Sequence, residues 1–271
     1  GLVGLGLSSA TAQASGATRA HEDGSVSDGR NLTITATATQ DADANADAVS
    51  GGVAAGNAAL ATATVSPALW AYIGGGTITL DNSVTIVSTL NADADADSDG
   101  QSYGLLAAGG SKSAATLTPD VDVAIKAGTV TASTGGITLT ALSNVTAGGA
   151  DNGNVVTAVA DASAGGLLAG SGADSDATAS ANVETWVAAG ATLDAETDIS
   201  LTARANNRAF ADAGGLGAGL VGVGLADADA TASGVTKAHL DGRVNDGRSL
   251  FITATAADFA DANADAVSGG I

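Results

Sequence analysis

The sequence predicts an all-β repeat protein: a flattened β-solenoid built of units of about 53 residues, with an antiparallel meander of long hairpins as the alternative. Three observations lead there. Residues 219–271 repeat residues 1–53 without a gap, and 37 of the 53 pairs are identical. A shorter period lies inside that long one. Long stretches alternate apolar and polar residues with period two, which is the signature of strands with one face in and one out.

The short period is carried by Leu32-Thr-Ile34, Val84-Thr-Ile86, Ile137-Thr-Leu139, Ile199-Ser-Leu201 and Leu250-Phe-Ile252. From Ile34 the steps are 52, 53, 62 and 51 residues, which sum to 218. Units therefore start near residues 32, 84, 137, 199 and 250, and 1–271 reads as one continuous array. Unit one matches unit two at 10 of 22 positions over residues 31–52, and unit five at 17. A four-unit block of 218 residues has been duplicated whole. With no Met in the chain, the array is expected to continue at both ends.

Each unit has an outgoing half, a turn and a return half. The outgoing half of unit one sets Leu32, Ile34, Ala36, Ala42, Ala44, Ala46 and Ala48 on one face. Its other face carries Thr33, Thr35, Thr37, Thr39, Asp41, Asp43, Asn45 and Asp47. A helix is excluded, because Ala-Asp alternation puts Asp all around it and leaves no apolar stripe. The inward face tapers from Leu and Ile to Ala, so two such faces should form a wedge, thin at the Ala end. The turn falls at Gly52-Val53, Gly104-Leu105, Gly166-Leu167, Gly215-Leu216 and Gly270-Ile271, which makes unit four the shortest. The return half begins apolar on both faces, as in Leu2-Val-Gly-Leu-Gly-Leu7, and a third layer or neighbouring chain is expected to cover it. Unit three carries an added turn-rich loop around residues 148–153, with one acid, Asp151. Trp70, Tyr72 and Trp186 sit late in return halves and are expected in the core.

The runs Gly128-Thr-Val-Thr-Ala-Ser-Thr-Gly-Gly-Ile-Thr-Leu-Thr-Ala141 and Gly190-Ala-Thr-Leu-Asp-Ala-Glu-Thr-Asp-Ile-Ser-Leu-Thr-Ala203 resemble the strand–turn–strand runs of filamentous-haemagglutinin-like proteins. They also resemble other giant repetitive surface proteins of Gram-negative bacteria. The resemblance implies an exported, fibrous, adhesive or structural protein.

Composition narrows the functional classes. The chain holds 29 acidic and nine basic residues, a net charge of −20. That disfavours nucleic acid and anionic lipid, which require Lys and Arg against phosphate. No apolar run approaches a membrane span. With no Cys, disulfides and thiolate metal sites are excluded.

The candidate ion site is a set of Asp rows: Asp41, Asp43 and Asp47, then Asp93, Asp95, Asp97 and Asp99, then Asp261 and Asp265. Stacked units would bring these rows together at about 4.8 Å, and Ca²⁺ would relieve their repulsion. The alternative is a solvated acidic face that keeps a sheet soluble. The run from Asp95 is no EF-hand loop, since Leu106 occupies the place of its closing Glu. His21 and His239 are equivalent turn residues without clustered partners. No nucleophile–His–Asp set or phosphate loop is present, so no enzyme is expected.

The expected function is a structural, self-associating extracellular fibre or cell-surface adhesin segment. Its partners are further copies of the array. The rival is an ice- or carbohydrate-binding module using the Thr33–Thr39 row.

Overall fold

The structure, a computed structural model, describes residues 1–149 and 153–270. These residues are all-β, and their 13 strands join in one sheet in which every pairing is parallel. The antiparallel meander is not formed. Asp151, with the centre of unit three's loop, lies outside the described residues.

The outgoing halves form one wall. It contains Val26–Gly51 and, in the next layer, Thr77–Tyr103. In chain order the strands are β1 (Val3–Glu22), β2 (Val26–Gly51), β3 (Ala54–Ile73), β4 (Thr77–Tyr103), β5 (Leu106–Leu117), β6 (Asp120–Ile125), β7 (Gly128–Ala132), β8 (Ile137–Ser143), β9 (Val156–Val187), β10 (Ala191–Ala195), β11 (Asp198–Leu240), β12 (Arg243–Asp246) and β13 (Ser249–Gly269). β9 and β11 run on past Gly166 and Gly219, so each contributes to both walls. The return wall stacks β1, β3, β5 with β6, then the later parts of β9 and β11. This solenoid-like arrangement places five layers in each wall.

The register follows the short period read in the sequence. Ile34 pairs with Ile86, Ile86 with Leu139, Leu139 with Leu201, and Leu201 with Ile252. The two runs that carry the family resemblance fold as strand–turn–strand segments, β7 to β8 and β10 to β11. At the corner before β7, Gly76 and Gly128 stack with φ of 83° and 91°. A Cβ on Gly128 would lie 2.1 Å from the Gly76 carbonyl oxygen, so only glycine fits there.

The interior tapers as expected. At the wide end Leu69, Ile78, Ile86, Ile125, Leu139, Leu193 and Ile199 are fully buried between the walls. Toward the thin edge the buried residues become Ala, then Gly. A Cβ on Gly4 would lie 2.2 Å from the Gly51 carbonyl oxygen, and one on Gly217 would lie 2.3 Å from that of Val223. The two backbones touch there without intervening side chains. Buried serines, which the sequence reading left out of the interior, bridge the walls nearby. Ser98 Oγ lies 2.6 Å from Ser111 Oγ and 2.8 Å from Ser113 Oγ, and Ser175 donates to the Ala158 carbonyl at 2.6 Å. Each of these four hydroxyls has a hydrogen-bond partner inside the interior.

Two readings are corrected by these contacts. The turn of layer four is Gly219-Leu220, since Gly219 pairs with Gly166. Unit four is therefore not shortened, and Gly215 is an interior glycine whose Cβ would meet the Leu225 carbonyl oxygen at 2.1 Å. Trp70, Tyr72 and Trp186 are not in the core. They stand half-buried on the outer face of the return wall, because Leu69, Ala71 and Ile73 fill the inner face of β3.

Unit three's insertion leaves the ladder through a specific device. β8 stops at Ser143, and Asn144 turns away with φ of 55°. Its side-chain amide then takes over the pairing. Asn144 Oδ1 accepts the Ala92 N–H at 2.8 Å, and Nδ2 donates to the Ala92 carbonyl at 3.0 Å. This amide replaces one backbone step, which keeps Ala92 satisfied while the chain loops out.

Candidate functional site

Three outer surfaces carry chemistry. The first is the acidic part of the outgoing wall. Parallel register puts Asp41 beside Asp93, Asp43 beside Asp95, Asp47 beside Asp99, and Asp99 beside Asp161. Asp97 stands beside Asn45. So the rows of layers one and two do come together, and Asp161 joins them. Asp261 and Asp265 do not. Thr157 and Phe210 separate Asp261 from Asp95, and Gly214 separates Asp265 from Asp161. The reason is the sequence of layers three and four, which breaks the acidic row with apolar and neutral residues.

Crowding shows in the acids that are drawn together. Burial, with the Asp95 and Asp41 charges next, lifts the Asp93 carboxyl from its usual 3.8 to about 6. Asp95, Asp97 and Asp161 are raised too, again by burial first and neighbouring carboxylates after it. Among the described residues, no group of three or more His, Asp or Glu side chains is arranged to hold a metal ion. In parallel strands the carboxylates project side by side along columns rather than converging on a point.

The Thr rows lie on the same wall. Thr33, Thr85, Thr138 and Ser200 stack in one column that ends at Phe251. The next column reads Thr35, Val87, Thr140, Thr202 and Thr253. The hydroxyl array is thus interrupted once in each of these two columns, and twice in the Thr37 column, by Leu142 and Arg204.

The second surface is the thin edge. Val53, Leu105, Leu167 and Leu220 occupy successive turns, with Leu2 beside them in the first layer. Next to this line the return wall stacks Val3, Ala54, Leu106, Leu168 and Val221 in one column. The side chains are bare in the inner layers too: Leu105 is 58% exposed and Leu167 50%. An open groove of 520 Å³ runs between Val3, Leu106, Leu168 and Val221. The expected third layer over this face is not supplied by any described part of the chain.

The third surface is the outer face of the return wall at the wide end. One column holds Arg19, Trp70, Asp122, Glu184 and Lys237, and the next holds His21, Tyr72, Ala124, Trp186 and His239. His21 stacks on Tyr72 at 5.0 Å, and His239 on Trp186 at 6.4 Å. The Arg19 guanidinium lies 4.2 Å over the Trp70 ring, and Lys126 Nζ lies 3.5 Å over the Tyr72 ring. Asp122 is raised to about 6, by burial first and then by Asp120 and Glu184, while a hydrogen bond from Trp70 opposes the rise. His239 also lies 3.0 Å from Glu184 and 3.1 Å from Asp241. The signal that could have found this surface was the spacing Trp70–Tyr72, two residues on one face of a strand. Both faces of that segment are apolar, so alternation could not say which turns outward.

Comparison with protein-family models, with curated proteins and with solved structures returns no match in any of the three. Among the described residues no helix is long and apolar enough to cross a membrane.

Proposed function

We propose that the chain is a stretch of flattened β-solenoid, one coil per unit of about 53 residues, serving as a stiff, self-associating segment of an extracellular fibre or cell-surface adhesin. The observation that carries this reading is the apolar thin edge, which repeats in every layer. A contiguous apolar ridge of this kind on a rod marks an interaction face. The partner is a second copy of the array, since an identical rod repeats the same ridge at the same layer spacing of about 4.8 Å. The role is mechanical rather than catalytic. Parallel backbone ladders join successive coils and resist their separation along the rod axis, and the bare Leu and Val side chains hold rods side by side.

The acidic rows keep the outgoing wall beside the thin edge wet and set the spacing between rods. Ca²⁺ would act there by relieving the repulsion between the Asp41–Asp47 and Asp93–Asp99 rows.

Sedimentation velocity with negative-stain electron microscopy tests the reading. Wild-type protein is expected to form laterally paired or bundled rods. The Leu105→Asp, Leu167→Asp, Leu220→Asp variant should remain single with an unchanged circular-dichroism melt. Wild-type protein that stays monomeric at about 100 µM, a concentration at which a micromolar contact is saturated, overturns self-association.

A further inference from the structure

The wide-end surface of the return wall contains a gap with the shape and chemistry of a ligand site. In the column His21–Tyr72–Ala124–Trp186–His239, only the middle layer carries a methyl group. Tyr72 and Trp186 are therefore two layers apart, about 9.6 Å along the stack. His21 covers the far face of Tyr72 and His239 the far face of Trp186. Lys126 Nζ lies over the other face of Tyr72 at 3.5 Å, so the remaining face of Trp186 is the one that looks toward Ala124. A cleft of 350 Å³ opens there, lined by Arg19, Trp70, Tyr72, Asp122, Lys126 and Trp186.

The polar rim fits a narrow class of ligand. Asp122 offers carboxylate oxygens, and Lys126 offers an ammonium 3.5 Å from the Tyr72 ring centre. Carboxylates of Asp120, Asp122 and Glu184 repel an anion such as a phosphate or uronate. Arg19 and Lys126 repel a cation. A neutral ring with apolar C–H faces and hydroxyls at its edge satisfies both parts of the rim. Its faces pack on aromatic rings while its hydroxyls bond acceptors and donors together.

We propose that this cleft binds a neutral pyranose unit of a carbohydrate chain, packed against Trp186 over Ala124 and hydrogen-bonded by Asp122 and Lys126. This site is separate from the apolar edge, so it stands whether or not the rods associate.

Both tryptophans of the chain line the cleft, so intrinsic fluorescence reports binding directly. The probes are cellohexaose, chitohexaose and maltohexaose as neutral chains, and polygalacturonate as the anionic control. At least one neutral chain is expected to give a saturable change with Kd below about 1 mM. Ala124→Leu, which adds bulk beneath Trp186 at a buried position, should weaken that binding at least tenfold while the circular-dichroism spectrum stays that of the folded wild type. Trp186→Ala should do the same by calorimetric titration. The proposal is overturned if no neutral hexasaccharide saturates by about 10 mM. It is also overturned if polygalacturonate alone binds, or if folded Ala124→Leu binds as the wild type does.

Discussion

The wide end and the thin edge of the wedge are held together by opposite means. At the wide end Leu139, Ile86 and Leu201 stack in one column and exclude water by bulk. At the thin edge Gly4, Gly215 and Gly217 let the walls meet backbone to backbone, so cohesion comes from close contact with almost no side-chain volume. The wide end should therefore be sensitive to removing atoms, and the thin edge to adding them. The same contrast explains where the large apolar side chains are buried and where they are exposed. The wide end spends its large apolar residues inward, whereas the thin edge has no room inside and turns Leu5, Leu105 and Leu167 outward.

The sharpest way to break this contrast is Leu139→Ala in the middle layer. A cavity there should cost about 2–5 kcal/mol, measured by urea denaturation. Gly217→Ala should follow, at about 1–3 kcal/mol, because the new Cβ forces the Val223 backbone away. Hydrogen exchange should place that damage in β11 near the thin edge and leave β8 protected. If the glycine variant were neutral, the walls would not touch there.

Acid should act on the crowded outer carboxylates in the direction opposite to most proteins. Asp93 and Asp122 give up their protons near pH 3.8 when unfolded but only near 6 when folded. Their contribution is fully present below about pH 3.8 and is lost as pH rises through 6. The melting temperature should therefore rise by about 2–4 °C between pH 7.5 and pH 4.5, a modest gain because both groups are partly solvated. Millimolar Ca²⁺ added to chelator-treated protein at pH 7.5 should raise it by less. A calcium shift larger than the acid shift would make the Asp rows a metal site. The smallest effect belongs to Lys112, whose Nζ lies 2.5 Å from Asp174 and 2.9 Å from Asp176 on the exposed return wall. Lys112→Ala should cost at most about 0.5–1 kcal/mol.

What the sequence made legible was whatever recurs. The Ile34, Ile86, Leu139, Leu201 and Ile252 ladder could be read from spacing alone, because a parallel stack keeps equivalent residues in contact. The Ala taper made the wedge legible as well. Three things were hidden. Gly215 and Gly219 lie four residues apart and look alike in sequence, yet one lets the walls touch and the other makes the turn. Trp70 and Tyr72 alternate with Leu69, Ala71 and Ile73, so period two cannot assign an inside. The acidic columns depend on which layer follows which, and Thr157, Phe210 and Gly214 interrupt them only once the stack is built. The candidate surfaces were thus readable as residue types but not as neighbours.

The central claim is that equivalent residues of successive units lie side by side in parallel register. Ser50 and Ser102 test it most directly: they are 52 positions apart and their Oγ atoms lie 3.0 Å from each other inside the thin edge. In a chain without cysteine, the Ser50→Cys, Ser102→Cys variant should close a disulfide on mild oxidation. Intact mass and non-reducing electrophoresis would read it. Ser50→Cys paired with Gln101→Cys, one step out of register and on the opposite face, should stay reduced within the molecule. Efficient closure of the first pair alone is the predicted result. Closure of the second pair, or of neither, would contradict the stacked parallel register.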